Sequence, residues 1–358
     1  MSAMVALTSK QANAALPQAL KDYHDGGRKP VDSNMSYNDY LDYWYENFVE
    51  KKLKYNTQEN YKNIINKYLK PNLGIYYLKN LNPAMLDKYA QSLLDLNLAN
   101  HTMQIILSVL KKSIRMAVYP YELLKTNPAN YVSYPKRPES IADLEKNQDD
   151  DLKFINLDQF NQLMELTPIV DPFYVAANIS FWTGLRRGEV SGLEWNNVDL
   201  QAMEIHVKQQ MIVLNKGRYE ITTPKTKNSY RTVPIGQTLV NILKKQRKIQ
   251  LERKILYGKN YQDSNFVCTH PNGKPVTPNS IKYEVEKVRK LVDFDFNFHS
   301  FRHTHATMMV NAGANWKEIQ KRLGHAKLST TMNTYAHATK KQQRKSVDKF
   351  EEFIKNQG

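Results

Sequence analysis

The sequence predicts a mainly α-helical protein with a small antiparallel β-sheet, divided into an N-terminal helical bundle and a C-terminal α+β domain. Three observations carry this. Apolar residues recur at helical spacing in four segments between 36 and 132, each opened by a capping residue or a turn. Only the region 203–235 shows the short alternation typical of strands. Between the two domains, YVSYPKRPESIADLEKNQDDDL combines prolines, mixed charge and little apolar content, the composition of a linker.

In the bundle, Ser36 is expected to cap a first helix, with Asp39 in its first turn and Tyr37, Tyr40, Leu41, Trp44 and Phe48 along one buried stripe. Thr57 reads as the cap of a second helix that buries Tyr61, Ile64, Ile65, Tyr68 and Leu69 and ends before Pro71. A third starts at Asn82-Pro83 and buries Met85, Leu86, Tyr89, Leu93 and Leu96. A fourth starts near Asn100 and buries Ile105, Ile106, Val109, Leu110 and Ile114. Their outward faces carry Lys62, Lys67 and Lys70 on the second helix and Lys111, Lys112 and Arg115 on the fourth.

In the C-terminal domain, Asp158 reads as a cap for Phe160, Leu163, Met164 and Leu166, and Asp171 opens a mostly apolar helix that ends at Thr183-Gly184. Met203, Ile205 and Val207, then Met211 and Val213, read as paired strands; Tyr219 to Thr222 and Arg231 to Ile235 add two more. Helices are expected again at 236–256, 279–292, 299–312, 316–323 and around 340–355.

The chain has 358 residues, 41% hydrophobic and 24% charged, ordinary values for globular domains, but its net charge of +16 is not ordinary. Such an excess favours a polyanionic partner, most simply nucleic acid, because each neutralised phosphate releases condensed counterions. The basic helical faces, mixed with Asn, Gln and Tyr, suit contact with phosphates and base edges. No apolar run approaches the length of a bilayer span and no signal-peptide pattern opens the chain, so a membrane partner is not expected. The single cysteine, Cys268, excludes an intramolecular disulfide and fits a reducing cytoplasm. Without a glycine-rich phosphate loop, an acidic metal cluster or zinc-spaced Cys/His pairs, the expected chemistry uses neither cofactor nor metal.

The most informative stretch runs from His299 to Tyr335: HSFRHTHATMMVNAGANWKEIQKRLGHAKLSTTMNTY. His299 and Arg302 lie one helical turn apart and share a face. His325 follows a Leu-Gly turn, and Tyr335 sits in the short polar segment TTMNTYAHAT. A guanidinium fork fits two phosphate oxygens, an imidazole exchanges protons near neutral pH, and a phenol can attack. Taken singly, a histidine or tyrosine on a helix is usually a packing residue, and this chain has 22 Tyr and 9 His. Arriving together, with Arg186 in LRRGEVSGLEW just after the Gly184 turn, they describe a site for a phosphodiester with tyrosine as nucleophile. Glu189, one helical turn from Arg186, is placed to pair with it and orient it.

With these residues in view, the chain resembles the tyrosine recombinases, in particular integrases of the phage and conjugative-transposon type. TGLRRGEVSGLEW is similar to the family's first arginine box, HSFRHTHAT to its HxxR box, KRLGH to its second-histidine box and TTMNTYAHAT to its nucleophile segment. The resemblance implies a helical DNA-clamp domain at 36–132, a linker at 133–152, a catalytic domain at 153–343 and a tail at 344–358. Residues 1–35 would be a remnant of an arm-binding domain. It implies catalytic roles for Arg186, Lys225, His299, Arg302, His325 and Tyr335, with Glu189 in support; Lys227 is the alternative to Lys225. Arg186 and Arg302 would clamp the scissile phosphate while Tyr335 attacks, His299 would assist removal of the phenolic proton, Lys225 would protonate the leaving 5′ oxygen and His325 would hydrogen-bond the phosphate. It further implies a homotetramer on double-stranded attachment-site DNA, an excisionase and a host DNA-bending protein as partners, and a place in the bacterial cytoplasm at the nucleoid. Three other readings share parts of this pattern: a chromosome- or plasmid-dimer resolving recombinase, a type IB topoisomerase, and a DNA-binding regulator with a silent site.

Overall fold

The computed structural model describes residues 34–136, 153–223 and 229–335. The chain divides into two compact units after residue 139. Residues 1–33, the 137–152 part of the linker, Lys225 and Lys227, the expected helix around 340–355 and the tail 344–358 lie outside the described residues.

Among the described residues, the first unit is built of four helices. In α1, Tyr37–Trp44 continues through a π-turn at Tyr45–Val49 to Glu50–Lys52. In α2, Tyr55–Ile64 continues through a second π-turn at Ile65–Leu69 to Lys70–Leu73. Helix α3 is Pro83–Ser92 and α4 is Asn100–Val118. Ser36 caps α1 through the Asp39 amide and Asn82 caps α3 through the Met85 amide, as their side-chain chemistry leads one to expect. The aromatic stripe of α1 is fully buried at Tyr37, Tyr40 and Trp44 and brings its polar ends to α4. The Tyr40 hydroxyl donates to the Ser113 carbonyl at 2.6 Å, and the Trp44 indole donates to Met116 Sδ at 3.1 Å.

The second helix departs from the sequence expectation at both ends. Thr57 is not its cap: α2 begins at Tyr55, and the Thr57 amide already donates to the Lys54 carbonyl. Nor does Pro71 end it. The π-turn just upstream widens the ladder, with the Lys70 amide reaching the Ile65 carbonyl, so the ring that would clash in a regular α-turn is accommodated and the helix runs on to Leu73. Leu96, expected in the core, is exposed.

Three of the basic residues read as outward-facing are also engaged. Lys70 pairs with Asp42 at 2.6 Å. Lys111 is half-buried, donating to the Val132 carbonyl and lying 4.5 Å from the Tyr134 ring centroid. Lys112, also half-buried, lies over the rings of Phe48 and Tyr61. Lys62, Lys67 and Arg115 are exposed.

The second unit opens with α5 (Leu157–Leu166). Its cap is Asn156, in a reciprocal capping box with Gln159; Asp158, expected there, lies inside the first turn. Helix α6 (Pro172–Thr183) is buried along nearly its whole length and ends on Gly184 in the left-handed conformation; the short α7 (Arg187–Ser191) follows. Five strands come next: β1 (Val198–Asp199), β2 (Glu204–Val207), β3 (Gln210–Val213), β4 (Tyr219–Thr222) and β5 (Arg231–Pro234). They form two small antiparallel sheets, β1-β2-β5 and β3-β4. The expected β2–β3 pairing is therefore absent: β2 pairs with β5 in the register Ile205 to Val233, and β3 pairs with β4. Only Lys208 and Gln209 separate β2 from β3, and the chain uses them to change sheets rather than to close a hairpin. Met203 stands outside the strand with φ of 57°.

Helices α8 (Gln237–Tyr257), α9 (Pro278–Arg289), α10 (Phe298–Asn311) and α11 (Trp316–Leu323) lie close to their expected spans. A further helix, α12 (Leu328–Tyr335), forms where a short polar segment was expected. The core joins α6 and α10 to the inner faces of β2 and β5 through Phe173, Ile179, Ile205, Val233 and Phe301. Tyr335 packs in a smaller cluster with Ala306, Val310, Ile319 and Leu323.

Candidate active site

Three elements position the site: the Gly184 turn between α6 and α7, the first turns of α10, and the α11–α12 corner. Gly184 has φ of +71°, and a Cβ there would stand 2.7 Å from Leu323 Cδ2 and 2.9 Å from His305 Cδ2, so only glycine fits on both counts. That close approach brings the Gly184 carbonyl to Arg302. Arg302 is 1% exposed; it donates to the Gly184 carbonyl at 2.6 Å, to the Leu323 carbonyl at 2.7 Å and to His325 Nε2 at 2.9 Å.

Because an arginine can only donate, His325 Nε2 is an acceptor, and its Nδ1–H must be the donor in the 2.9 Å contact with Thr331 Oγ1. Burial, then the charges of Arg302 and Arg186, draw the His325 pKa down to about 4, which keeps this neutral tautomer. Both ring nitrogens thus serve protein partners, whereas the sequence reading had this imidazole donating to phosphate.

Arg186 begins α7. Its backbone amide donates to Glu189 Oε2 at 2.8 Å and its guanidinium to Glu189 Oε1 at 3.0 Å, so the two side chains are paired. The carboxylate has a second, more buried partner. Arg231 donates through Nη1 and Nη2 to the two Glu189 oxygens at 3.0 and 2.9 Å, and through Nε to the Arg322 carbonyl at 2.6 Å. Burial pushes the Glu189 carboxyl up, but hydrogen bonds and charge from Arg231, then Arg186, outweigh it and bring the pKa to about 2. Burial, then Arg186, pull Arg302 below its usual range while Glu189 opposes them; a guanidinium starts so high that it stays charged at neutral pH.

Arg186, Arg231 and Arg302 therefore share one carboxylate among the described residues. The surplus positive charge is partly buried, and an anion would relieve it.

Tyr335 is 1% exposed at the end of α12, one turn beyond Thr331 and on the same face. Its hydroxyl is hydrogen-bonded to His303 Nδ1 at 3.0 Å. Burial raises the phenol pKa to about 12 even though Arg302 and Arg186 act to lower it. His299, held at the start of α10 by the Asn297 cap, is exposed and packs its ring edge-on against His303, with centroids 4.6 Å apart. Although solvent reaches it, desolvation on its inner side and the charges around it, His303 and Arg302 foremost, keep its pKa low.

The structure thus brings Arg186, Glu189, Arg302, His325 and Tyr335 into one hydrogen-bonded and electrostatic network, with His299 at its edge. Lys225 and Lys227 lie outside the described residues, between β4 and β5 in the sequence. The sequence reading missed His303, although it stands four residues after His299 and so on the same helical face. It also missed the site role of Arg231, which looked like the first residue of a strand. Arg322 and His305 escaped it too. The Arg322 guanidinium donates to His305 Nε2, the Pro234 carbonyl and the Trp182 carbonyl, and the ring places its Nδ1–H on the Phe181 carbonyl. These two residues hold α11 against α6 and β5.

The site also has counterparts in known proteins. Residues 153–342 match the phage integrase family, and residues 36–94 match the N-terminal SAM-like domain of phage integrases. The chain is 30% identical over 315 residues to the ICEBs1 integrase of Bacillus subtilis, covering 84% of this chain and 79% of that one. It is 26% identical over 338 residues to the transposase of transposon Tn916 from Enterococcus faecalis, covering 89% and 78%. Its fold is similar to that of the Tn1549 transposon integrase in complex with circular intermediate DNA, with a TM-score of 0.68 at 20% identity over 88% of this chain and 99% of the other. On the family match and the ICEBs1 likeness together, the chain belongs to the phage integrase family, the tyrosine recombinases.

Proposed function

We propose that this chain cleaves and rejoins double-stranded DNA at specific sites through a 3′-phosphotyrosine at Tyr335, integrating and excising a mobile element. The observation that carries the reading is the buried surplus of guanidinium charge beside a buried phenol, within a chain of this family. Arg186 and Arg302 clamp the scissile phosphate and stabilise the charge that develops on its oxygens. Tyr335 attacks phosphorus, and Lys225 protonates the leaving 5′ oxygen. His299 lies at the edge where DNA would enter and assists on that side. Once a phosphate draws the Arg302 Nη2 away, the His325 ring can carry its proton on Nε2, with Nδ1 accepting from the Thr331 hydroxyl, and donate to the phosphate. Because the phosphotyrosine conserves the bond energy, rejoining needs no nucleotide hydrolysis.

The helical unit, 36–132, supplies further DNA contacts through Lys62, Lys67 and Arg115, followed by the linker 133–152 and the catalytic region 153–343. Four copies act on two duplexes at attachment sites in the bacterial cytoplasm, with an excisionase and a host DNA-bending protein setting direction. Relatives that are integrases and transposases of mobile elements favour this over the resolution of chromosome dimers.

Covalent capture tests it. The wild-type chain is incubated with a library of nicked suicide duplexes carrying randomised cores, and the trapped adduct is digested and sequenced by mass spectrometry. Phosphonucleotide on Tyr335, and none in Tyr335→Phe despite retained DNA binding, is the expected result. An adduct on another residue, or no adduct from the wild type, would reject the assignment.

A further inference from the structure

We infer that His303 is a further catalytic residue of this site, the base whose Nδ1 takes the phenolic proton of Tyr335 as the hydroxyl attacks phosphorus. The inference rests on the reading of Tyr335 as nucleophile, and it moves a role that the family resemblance gives to His299.

Geometry is the first support. The Tyr335 hydroxyl and His303 Nδ1 are 3.0 Å apart, within the reach a general base needs, and the two rings lie 5.8 Å centroid to centroid. His299 packs edge-on against His303, and of these two neighbouring imidazoles it is His303 that is hydrogen-bonded to the phenol. Burial is the second. With Tyr335 at 1% exposure, bulk water is not at hand to accept the proton, and a phenol is already a weak acid at neutral pH.

The third support is the anchoring of α12 at two points on one face, Thr331 to His325 and Tyr335 to His303. The second of these bonds is made to the reacting oxygen itself, so the group that docks the nucleophile is also the group that can deprotonate it.

The step balances. The Tyr335 Oη–P bond forms as the bond from phosphorus to the 5′ oxygen breaks. The phenolic proton ends on His303 Nδ1, giving an imidazolium, and the departing 5′ oxygen takes a proton from Lys225. In rejoining, a 5′-hydroxyl attacks phosphorus, Lys225 takes back that proton, and the imidazolium returns its own to the Tyr335 oxygen.

Burial holds the Tyr335 phenol at about 12 even though Arg302 and Arg186 act to lower it, so Tyr335 stays a neutral, docked phenol in the absence of DNA.

The test uses the full chain and the duplex captured by the wild-type protein as above, measuring single-turnover adduct formation against pH. In the wild type the rate should rise with pH and level off once the base has lost its proton. His303→Gln should slow adduct formation about 100-fold or more near neutral pH and replace the plateau by a continuing rise toward the ionisation of the phenol itself. His299→Gln should keep the plateau.

His303→Asn, which can hold the hydroxyl but cannot accept a proton, should behave like His303→Gln, and DNA affinity and melting temperature of both variants report that they fold. A wild-type profile in His303→Asn would mean that the ring only positions Tyr335 and would overturn the inference. So would a plateau lost in His299→Gln but kept in His303→Gln, or a faster reaction in either His303 variant. The reading of Tyr335 fails separately, by the residue that carries the adduct.

Discussion

Arg231 and Glu189 meet fork to fork, two donors on two oxygens at 3.0 and 2.9 Å, with both side chains at least nineteen-twentieths buried. The same carboxylate fixes Arg186 through its amide and its guanidinium, and the Nε of Arg231 holds the last turn of α11 through the Arg322 carbonyl. One ion pair thereby sets Arg186 after the Gly184 turn, the strand β5, and the corner that carries His325.

Removing the Arg231 side chain should therefore damage both stability and activity. Arg231→Ala leaves Glu189 buried with Arg186 as its remaining partner, a loss of about 3–5 kcal/mol. In a domain of this size that lowers the melting temperature by roughly 10 °C. Arg231→Lys keeps the charge but not the fork, and should fall between. Thermal melts of the three proteins check the order; a melt of Arg231→Ala within a degree or two of wild type would contradict it.

The same pair sets an acid limit. The folded-state pKa of Glu189, about 2, lies below its ordinary value, so its contribution to stability is fully present above about pH 4.5 and is lost as pH falls toward 2. Glu189→Gln should flatten that part of the stability curve, measured by denaturant unfolding between pH 2 and 6. Equal slopes in the two proteins would show that the carboxylate is not the group involved.

Gly184→Ala should be among the most harmful single-methyl additions in the chain. Left-handed backbone costs a non-glycine residue about 1–2 kcal/mol, and the new Cβ would press on Leu323 and His305 at 2.7 and 2.9 Å. Any relief moves the carbonyl that holds Arg302. The expected outcome is lower stability together with slower DNA cleavage per folded molecule. Retained single-turnover rates in a folded Gly184→Ala protein would show that Arg302 does not need this carbonyl.

Much of this architecture is legible in the residues alone, and the exceptions share a cause. Ser36, Asn82 and Asp171 announce their helices because capping is a local contest between one side chain and one amide. Arg302 and His325 can be assigned to one site because their motifs are recognisable wherever they fall in the chain. Pairing of β2 with β5 rather than β3 cannot be read that way: both alternatives satisfy the alternation, and the choice depends on which long-range register buries Ile205 against Val233. Pro71 misleads because a π-turn several residues upstream changes what the helix can accept. Arg231 and His303 were hidden differently, since each occupies an ordinary position on a strand or helix. Their importance comes from what folding brings opposite them, Glu189 and the Tyr335 hydroxyl.

The identity of the general acid can be separated from every other role. If Lys225 protonates the leaving oxygen, Lys225→Ala should cleave a substrate whose bridging 5′ oxygen is replaced by sulfur at close to the wild-type rate, because a thiolate departs without a proton. Lys227→Ala should show weaker DNA binding and no selective rescue. The reverse pattern would assign the acid to Lys227 and leave the tyrosine chemistry unchanged.

The DNA contacts of the helical unit form the last test, and the structure narrows it. Lys62 and Lys67 project from one face of α2 together with Asn63 and Asn66, away from the buried Ile64, Ile65 and Leu69. Lys70 is committed to Asp42, and Lys111 and Lys112 to a carbonyl and aromatic rings within their own unit. Lys62 and Lys67 lie beside the rings of Tyr45 and Tyr68 but stay exposed, so on α2 phosphate contact should be carried by these two. Replacing both with Gln should lower the slope of log affinity against log salt by about two units, one for each lost contact. Lys70→Gln should change it less, because that ammonium already has a counter-charge. As exposed side chains outside the packed stripe, Lys62 and Lys67 should be replaceable at less than roughly 0.5 kcal/mol each in stability. The measurement is binding of the captured duplex across a salt series. A slope unchanged in the double variant but reduced by Lys70→Gln would mean that Lys70 exchanges Asp42 for phosphate on binding, and would move the DNA-facing surface of α2 by one turn toward Leu73.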